Sequence, residues 1–214
     1  DWASTLTVSP GIELPAWLIS NVTVSPGHRR RGILRAMMGR SLTDAVAAGM
    51  PVAALTVSES AIYGRFGFGV CCHARRAQVR TTGHVSMRGP AATGTVTRED
   101  PREAIDQVDA LQRELQLLTP GSPRRPQTHR VMWKDALASE NDGKGEGSFV
   151  GLYRDAEGRA RGAVVYRFKG WEAEPATVRV QAFMAADPEA WRGLVRYLLD
   201  LDLIERVELS LIHI

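Results

Sequence analysis

NVTVSPGHRRRGILR, residues 21–35, joins a β-branched run to a helical pattern through a turn with three consecutive arginines and a glycine on either side. Upstream, the apolar stretch AWLISNVTVS, residues 16–25, lies between Pro15 and Pro26 and predicts a strand. Downstream, Ile33, Leu34, Met37, Met38, Leu42 and Val46 recur at helical spacing until Gly49. No Ser, Thr, Asp or Asn stands beside Gly32 to cap that helix. A helix N-terminus leaves several backbone N–H groups without partners and carries a partial positive charge. A phosphate in the turn would accept those bonds, the arginines would add charge, and Gly32 would admit a close backbone approach. Charge-assisted bonds of about 1.5–3 kcal/mol each outweigh the roughly 0.3–1 kcal/mol of the dipole, so directed contacts are expected to dominate. In isolation, Arg29, Arg30 and Arg31 read as a solvated surface or a nucleic-acid patch. Their place between a strand and an amphipathic helix, with a second glycine-rich element after the next strand, favours the phosphate.

Further along, residues 52–57 (VAALTV) predict a short buried strand, and residues 60–65 one or two helical turns before the glycine-rich GRFGFG. Residues 70–82 alternate as another strand, in which Cys71 and Cys72 read as packing residues rather than nucleophiles. RGPAATG, residues 88–94, predicts a linker between two domains, residues 1–90 and 91–214. Asp100 then offers an N-cap, Pro101 the first helical position and Glu103 a first-turn acid, opening a helix through Ile105, Val108, Leu111, Leu115 and Leu118. Loops are expected after Thr119 and Ser139, then strands at residues 149–153, 162–168 and 177–184. Asp187-Pro188 opens a last helix with Trp191, Leu194, Val195, Leu198 and Leu199 on one face. VRVQAFMAADPEA thus repeats the strand-to-helix plan of NVTVSPGHRRRG, with Asp187 and Glu189 in place of arginine and glycine. We read two tandem copies of one α/β unit, of which only the first retains an anion site. Trp17, Trp133, Trp171 and Trp191 are expected as core or domain-interface aromatics.

The 214 residues are 44% hydrophobic and 24% charged, ordinary for a soluble globular protein. No apolar run approaches the ~20 residues of a membrane span, and no signal-peptide pattern is visible. The adjacent cysteines do not resemble a disulfide framework, and no Cys/His spacing suggests zinc, so a reducing, cytoplasmic setting without a metal is expected. The net charge of +3 divides into +6 up to Pro90 and −3 beyond it. The basic part suits an anionic ligand. A charge of only +6 without aromatic–basic interleaving argues against nucleic acid.

Arg29 and Gly32 match Q/R-x-x-G-x-G/A, the acetyl-CoA signature of the GNAT superfamily, while Leu34 departs from its small third position. With PVAALTVSES and AIYGRFGFG after it, the segment resembles the Eis (enhanced intracellular survival) group of that superfamily, strongly over residues 21–69 and compatibly to about residue 206. Members are tandem-GNAT N-acetyltransferases with a third, sterol-carrier-like domain. The resemblance implies a mixed α/β GNAT fold in tandem units, both incomplete here. It implies acetyl-CoA as co-substrate, and a primary amine, aminoglycoside- or polyamine-like or a protein lysine, as acceptor. It implies homo-oligomers for full-length members, and no membrane or nucleic-acid partner. Carried over residue by residue, backbone groups of Val22, Thr23 and Val24 would hold pantetheine and thioester. Arg29, Arg30, Arg31, Gly32, Ile33, Leu34 and Arg35 would hold the pyrophosphate, Ser58 and Glu59 would line the same site, and Tyr63 would be the general acid. A packed turn aromatic is the plainer reading of any lone tyrosine, but the place of Tyr63 after the second strand favours the acid. The group's general base lies beyond the sterol-carrier-like domain and is carried onto no residue here. Residues 209–214 (LSLIHI) depart from the family pattern, and a non-catalytic CoA-binding or regulatory module is the alternative reading.

Overall fold

The computed structural model describes residues 1–57, 59–73, 75–83, 85–125 and 148–211. Ser58, Trp133 and most of the loop expected after Ser139 lie outside these residues. The chain divides into two units, Asp1–His73 with Gln116–Pro126, and Ala74–Leu115 with Gln127–Ile214.

In the first unit, β1 (Trp2–Ser9) and β2 (Ile12–Ile19) form a hairpin, and β3 (Val52–Leu55) adds in parallel to β2. A parallel pair needs a crossover, and α1 (Ile33–Ala47) supplies it. The strand expected over residues 16–25 is corrected at both ends. It starts at Ile12 and runs through Pro15, whose missing N–H falls ahead of the β3 ladder that begins at Ala16. It stops at Ile19 because Asn21 has φ 56°, a left-handed conformation that asparagine tolerates and a ladder does not.

The buried face of α1 also differs from the expected stripe. Met38, Ser41 and Ala45 are buried, whereas Met37 and Val46 are 41% and 77% exposed. A serine is tolerated there because its Oγ accepts the Trp17 indole N–H at 3.0 Å. The outer edge of β1 pairs with the segment after Gly121: Thr7 N–H donates to Ser122, Gly121 N–H to Thr7, and Arg124 N–H to Thr5. Buried Gln116 fastens this strap, donating its amide to Thr7 Oγ1 at 2.7 Å and to Glu13 Oε1 at 3.1 Å.

The second unit is a six-stranded sheet. Its strands are β4 (Arg75–Arg80), β5 (Thr95–Glu99), β6 (Ser148–Arg154), β7 (Ala160–Phe168), β8 (Thr177–Ala185) and β9 (Arg206–Leu211), in the order β4-β9-β8-β7-β6-β5. Helix α2 (Pro101–Leu118) lies on one face, with Ile105, Val108 and Leu111 against Val150, Leu152 and Val165. Helix α3 (Pro188–Leu199) lies on the other, with Leu194 and Leu198 against Tyr153, Val164 and Val178. Only β8 and β9 run parallel in this sheet, and α3 connects them, repeating the plan of β2, α1 and β3. This is the tandem architecture that the two junction sequences imply.

Three further expectations change. The strand over residues 70–82 shortens to β4, which leaves Cys71 and Cys72 in irregular chain and exposed, not packed. Trp171 and Trp191 are 68% and 41% exposed rather than core, and Trp171 rests edge-on against Phe168. Residues 206–211 form β9, which includes the start of the unplaced ending. Among the described residues, no helix is long and apolar enough to cross a membrane.

Candidate functional site

Parallel strands present their ligand sites beyond their carboxyl ends, where crossover helices begin. The β2–β3 ladder runs from Ala16–Val52 to Ile19–Leu55 and ends there. Beyond it, Val22, Thr23 and Val24 join no strand, and among the described residues no backbone hydrogen bond uses their N–H or C=O groups. Val22 and Val24 are half-buried and Thr23 is exposed, as in an extended segment with one sheltered side. Its backbone is therefore open to a ligand able to extend the ladder.

The turn that follows is built from its own backbone. Pro26–His28 forms one 3₁₀ turn in which His28 N–H donates to Ser25 O at 2.9 Å. Arg30 and Gly32 both have left-handed φ, 62° and 78°, which swings the chain into α1 within three residues. Gly32 is the N-cap residue and no side chain caps the helix. The first intrahelical bond is Ala36 N–H to Gly32 O at 3.0 Å, which leaves the amides of Ile33, Leu34 and Arg35 facing out of the helix end. Arg29, Arg30, Arg31 and Arg35 are exposed around this end, and Ile33 and Leu34 are half-buried. No acid stands in the first turn. The junction is thus cationic and rich in unpaired donors.

Beyond β3 the chain leaves the same end of the sheet. Glu59 is exposed, and 3₁₀ turns Ser60–Ile62 and Gly64–Phe66 flank Tyr63. The Tyr63 carbonyl accepts Phe66 N–H at 2.9 Å, and its ring meets Phe68 edge-on at 6.2 Å. Gly67, with φ 87°, ends the second turn. Tyr63 is half-buried, and among the described residues its hydroxyl has no hydrogen-bond partner. Val22, Thr23, Val24, the arginine turn, Glu59 and Tyr63 therefore all issue from the carboxyl ends of β2 and β3. Two contributions escaped the sequence. Asn21 ends the strand, its only signal being an asparagine at a strand exit. The Trp17–Ser41 bond holds α1 to β2, and neither residue type announces the pairing.

The second junction has the opposite character. Asp187 caps α3 by accepting Ala190 N–H at 2.8 Å, and Arg161 pairs with it at 3.2 Å. Glu189 accepts Thr93 N–H at 2.7 Å, the Thr93 hydroxyl at 2.6 Å and the Tyr153 hydroxyl at 3.1 Å. The two Thr93 bonds, and then the one from Tyr153, hold the Glu189 carboxyl below the usual range, while burial, then Glu189, push the Tyr153 phenol up. A cleft of about 490 Å³ beside them is lined by Asp155, Glu157, Asp187 and Glu189 against Arg159 and Arg161. A pyrophosphate there would meet occupied amides and like charge. Among the described residues no group of three or more His, Cys, Asp or Glu could hold a metal.

Two family models for the acetyltransferase (GNAT) domain match this chain, one over residues 3–71 and another over residues 121–213. An uncharacterized N-acetyltransferase of Streptomyces avermitilis is 40% identical over 204 residues, covering 92% of this chain and 49% of the relative. The N-acetyltransferase Eis of Mycobacterium tuberculosis is 33% identical over 210 residues, covering 95% and 50%. Eis1 of Mycobacterium abscessus superposes with a TM-score of 0.77 at 30% identity, over 97% of this chain and 51% of that one. A GCN5-related N-acetyltransferase of Anabaena variabilis shares the fold with a TM-score of 0.76 at 15% identity. The chain spans about half the length of the curated relatives it matches. With a GNAT model on each side of the chain and both strand–helix–strand plans in place, the chain belongs to the GNAT acetyltransferase family, on its Eis-like branch.

Proposed function

We propose that this chain carries the donor site of an acetyl-CoA-dependent N-acetyltransferase, and that the site lies wholly in the first unit. The uncapped N-terminus of α1, ringed by Arg29, Arg30, Arg31 and Arg35, is the observation that carries this. It offers outward amides and cations where a parallel pair ends, which suits a pyrophosphate. The free backbone of Val22, Thr23 and Val24 suits the extended, amide-bearing pantetheine arm, and exposed Glu59 stands at the other strand's exit.

The bound thioester supplies the activated acetyl group. A backbone N–H of the segment Val22, Thr23, Val24 is placed to donate to oxygen charge that develops as a primary amine attacks the carbonyl carbon. The carbon–sulfur bond then breaks, and Tyr63 gives its phenolic proton to the departing sulfur, while the nitrogen releases its surplus proton to solvent, from which Tyr63 regains one. The acceptor class is a primary amine, as in an aminoglycoside-like or polyamine-like molecule or a lysine side chain. The second unit, with Asp187 and Glu189 at its junction, takes no CoA and serves as scaffold.

Calorimetric titration of the full chain with CoA tests the donor site. Saturable binding is expected, weakened about tenfold in Arg30→Ala and again in Arg31→Ala, each the loss of a charge-assisted contact. Absence of binding by a folded chain, or equal binding to duplex DNA with a steep loss in salt, would remove the assignment.

A further inference from the structure

Cys71 and Cys72 stand apart from the acyl-transfer chemistry. They occupy irregular chain between the Gly67 turn and β4, and both are free and exposed. Their sulfurs lie 4.0 Å apart, with the Cys71 thiol directed at Cys72. Among the described residues no third ligand joins them, so they form no metal cluster. Neighbouring Cα atoms are about 3.8 Å apart across a trans peptide, whereas disulfides favour about 4.4–6.8 Å. A bond between these sulfurs closes a strained ring that ordinary thiols reopen readily. Two thiols that converge in solvent, and whose disulfide is labile, describe a site of reversible oxidation rather than a structural bridge.

We propose that Cys71 and Cys72 form a two-electron modification site, closing to a vicinal disulfide at the expense of a small-molecule disulfide such as glutathione disulfide. One cysteine thiolate attacks a sulfur of the small disulfide, making a mixed disulfide and releasing the first small thiol. The neighbouring thiolate then attacks the protein sulfur of that mixed disulfide and releases the second. The cysteine pair loses two electrons and two protons, and the small disulfide gains them, so the step balances without another reactant. Attack across 4.0 Å within one chain outruns addition of a second small thiol from solution. Although Cys72 is exposed as a residue, partial loss of water around its sulfur, then the neighbouring Cys71, push its thiol up. Closure therefore quickens as pH rises and more Cys72 thiolate forms.

The full chain equilibrated in mixtures of oxidised and reduced glutathione, then alkylated and weighed intact, provides the test. Wild type should lose two hydrogens and both alkylatable thiols, retain no glutathione, and recover both thiols with dithiothreitol. Cys71→Ser and Cys72→Ser should each keep one glutathione instead. A stable adduct on wild type, disulfide-linked dimers in place of the closed ring, or thiols that stay reduced under excess oxidant would each overturn the proposal. Phenylarsine oxide gives a second measurement on wild type alone, exchanging its oxygen, as water, for both sulfurs on one arsenic. One arsenical per chain that blocks the oxidation supports the site, and failure to protect the two thiols from alkylation refutes it.

Discussion

Tyr63 owes its place to backbone rather than to its hydroxyl. Its carbonyl closes the turn to Phe66 and its ring leans on Phe68, so the phenolic oxygen is left for chemistry. Tyr63→Phe should keep the turn and lower turnover on a polyamine acceptor by about 10²- to 10⁴-fold. CoA affinity should stay within about threefold, because the arginine turn is untouched. A Phe variant with near-normal steady-state turnover would reduce Tyr63 to a packing residue. Glu189 is used in the opposite way, with three hydrogen bonds accepted at its Oε1. Its folded carboxyl titrates below its unfolded value, near 4.3, so its contribution to stability is complete above that value and fades as pH falls through the lowered one. The melting temperature of Glu189→Gln should therefore trail wild type at neutral pH, with the gap closing in acid. A gap that does not change with pH would mean that the charge of Glu189 does not matter to the fold.

At the scale of elements, two helical glycines respond oppositely to the same substitution. A Cβ on Gly39 of α1 meets nothing within 4 Å, so Gly39→Ala should stabilise by about 0.8–1 kcal/mol through helix propensity alone. A Cβ on Gly193 of α3 would stand 2.5 Å from Tyr153 Cε2. The Tyr153 ring is held in place, because Gly94 also closes on it and its hydroxyl accepts Gly94 N–H at 3.1 Å and donates to Glu189. Overpacking of about 1–3 kcal/mol exceeds the propensity gain, so Gly193→Ala should lower the melting temperature by several degrees, at about 2–4 °C per kcal/mol. Calorimetry on both variants decides the matter, and a stabilised Gly193→Ala would show that α3 rides more loosely on Tyr153. Helices α1 and α3 each meet a ring of their sheet through a small residue: Ser41 accepts the Trp17 indole N–H, and Gly193 leaves space for Tyr153.

Over the whole molecule, one strand–helix–strand plan appears twice with two electrostatic outcomes. Hydrogen exchange of the full chain with and without CoA should show protection at residues 21–35 and 59–63 and none at 186–190. Protection at the α3 junction would place a cofactor where Asp187 and Glu189 argue against one. Local spacing and residue type were enough to reveal the arginine turn, the uncapped α1, the course of α2 and α3, and the repeat, because a helix start is a matter of neighbours along the chain. Strands β1 and β5 were not legible. A strand such as TVTRE in β5 is stabilised by its partner β6, and nothing within five residues announces that pairing. The same limit made residues 20–25 look like strand: their composition favours a ladder, but β2 and β3 part after Ile19 and Leu55. Sequence alone determined that an arginine-rich turn and a tyrosine follow successive strands. Only tertiary structure decided that those strands run parallel and that their ladder stops at Ile19 and Leu55, because hydrogen bonds between distant segments, not local preference, determine where a ladder ends and which backbone remains unpaired.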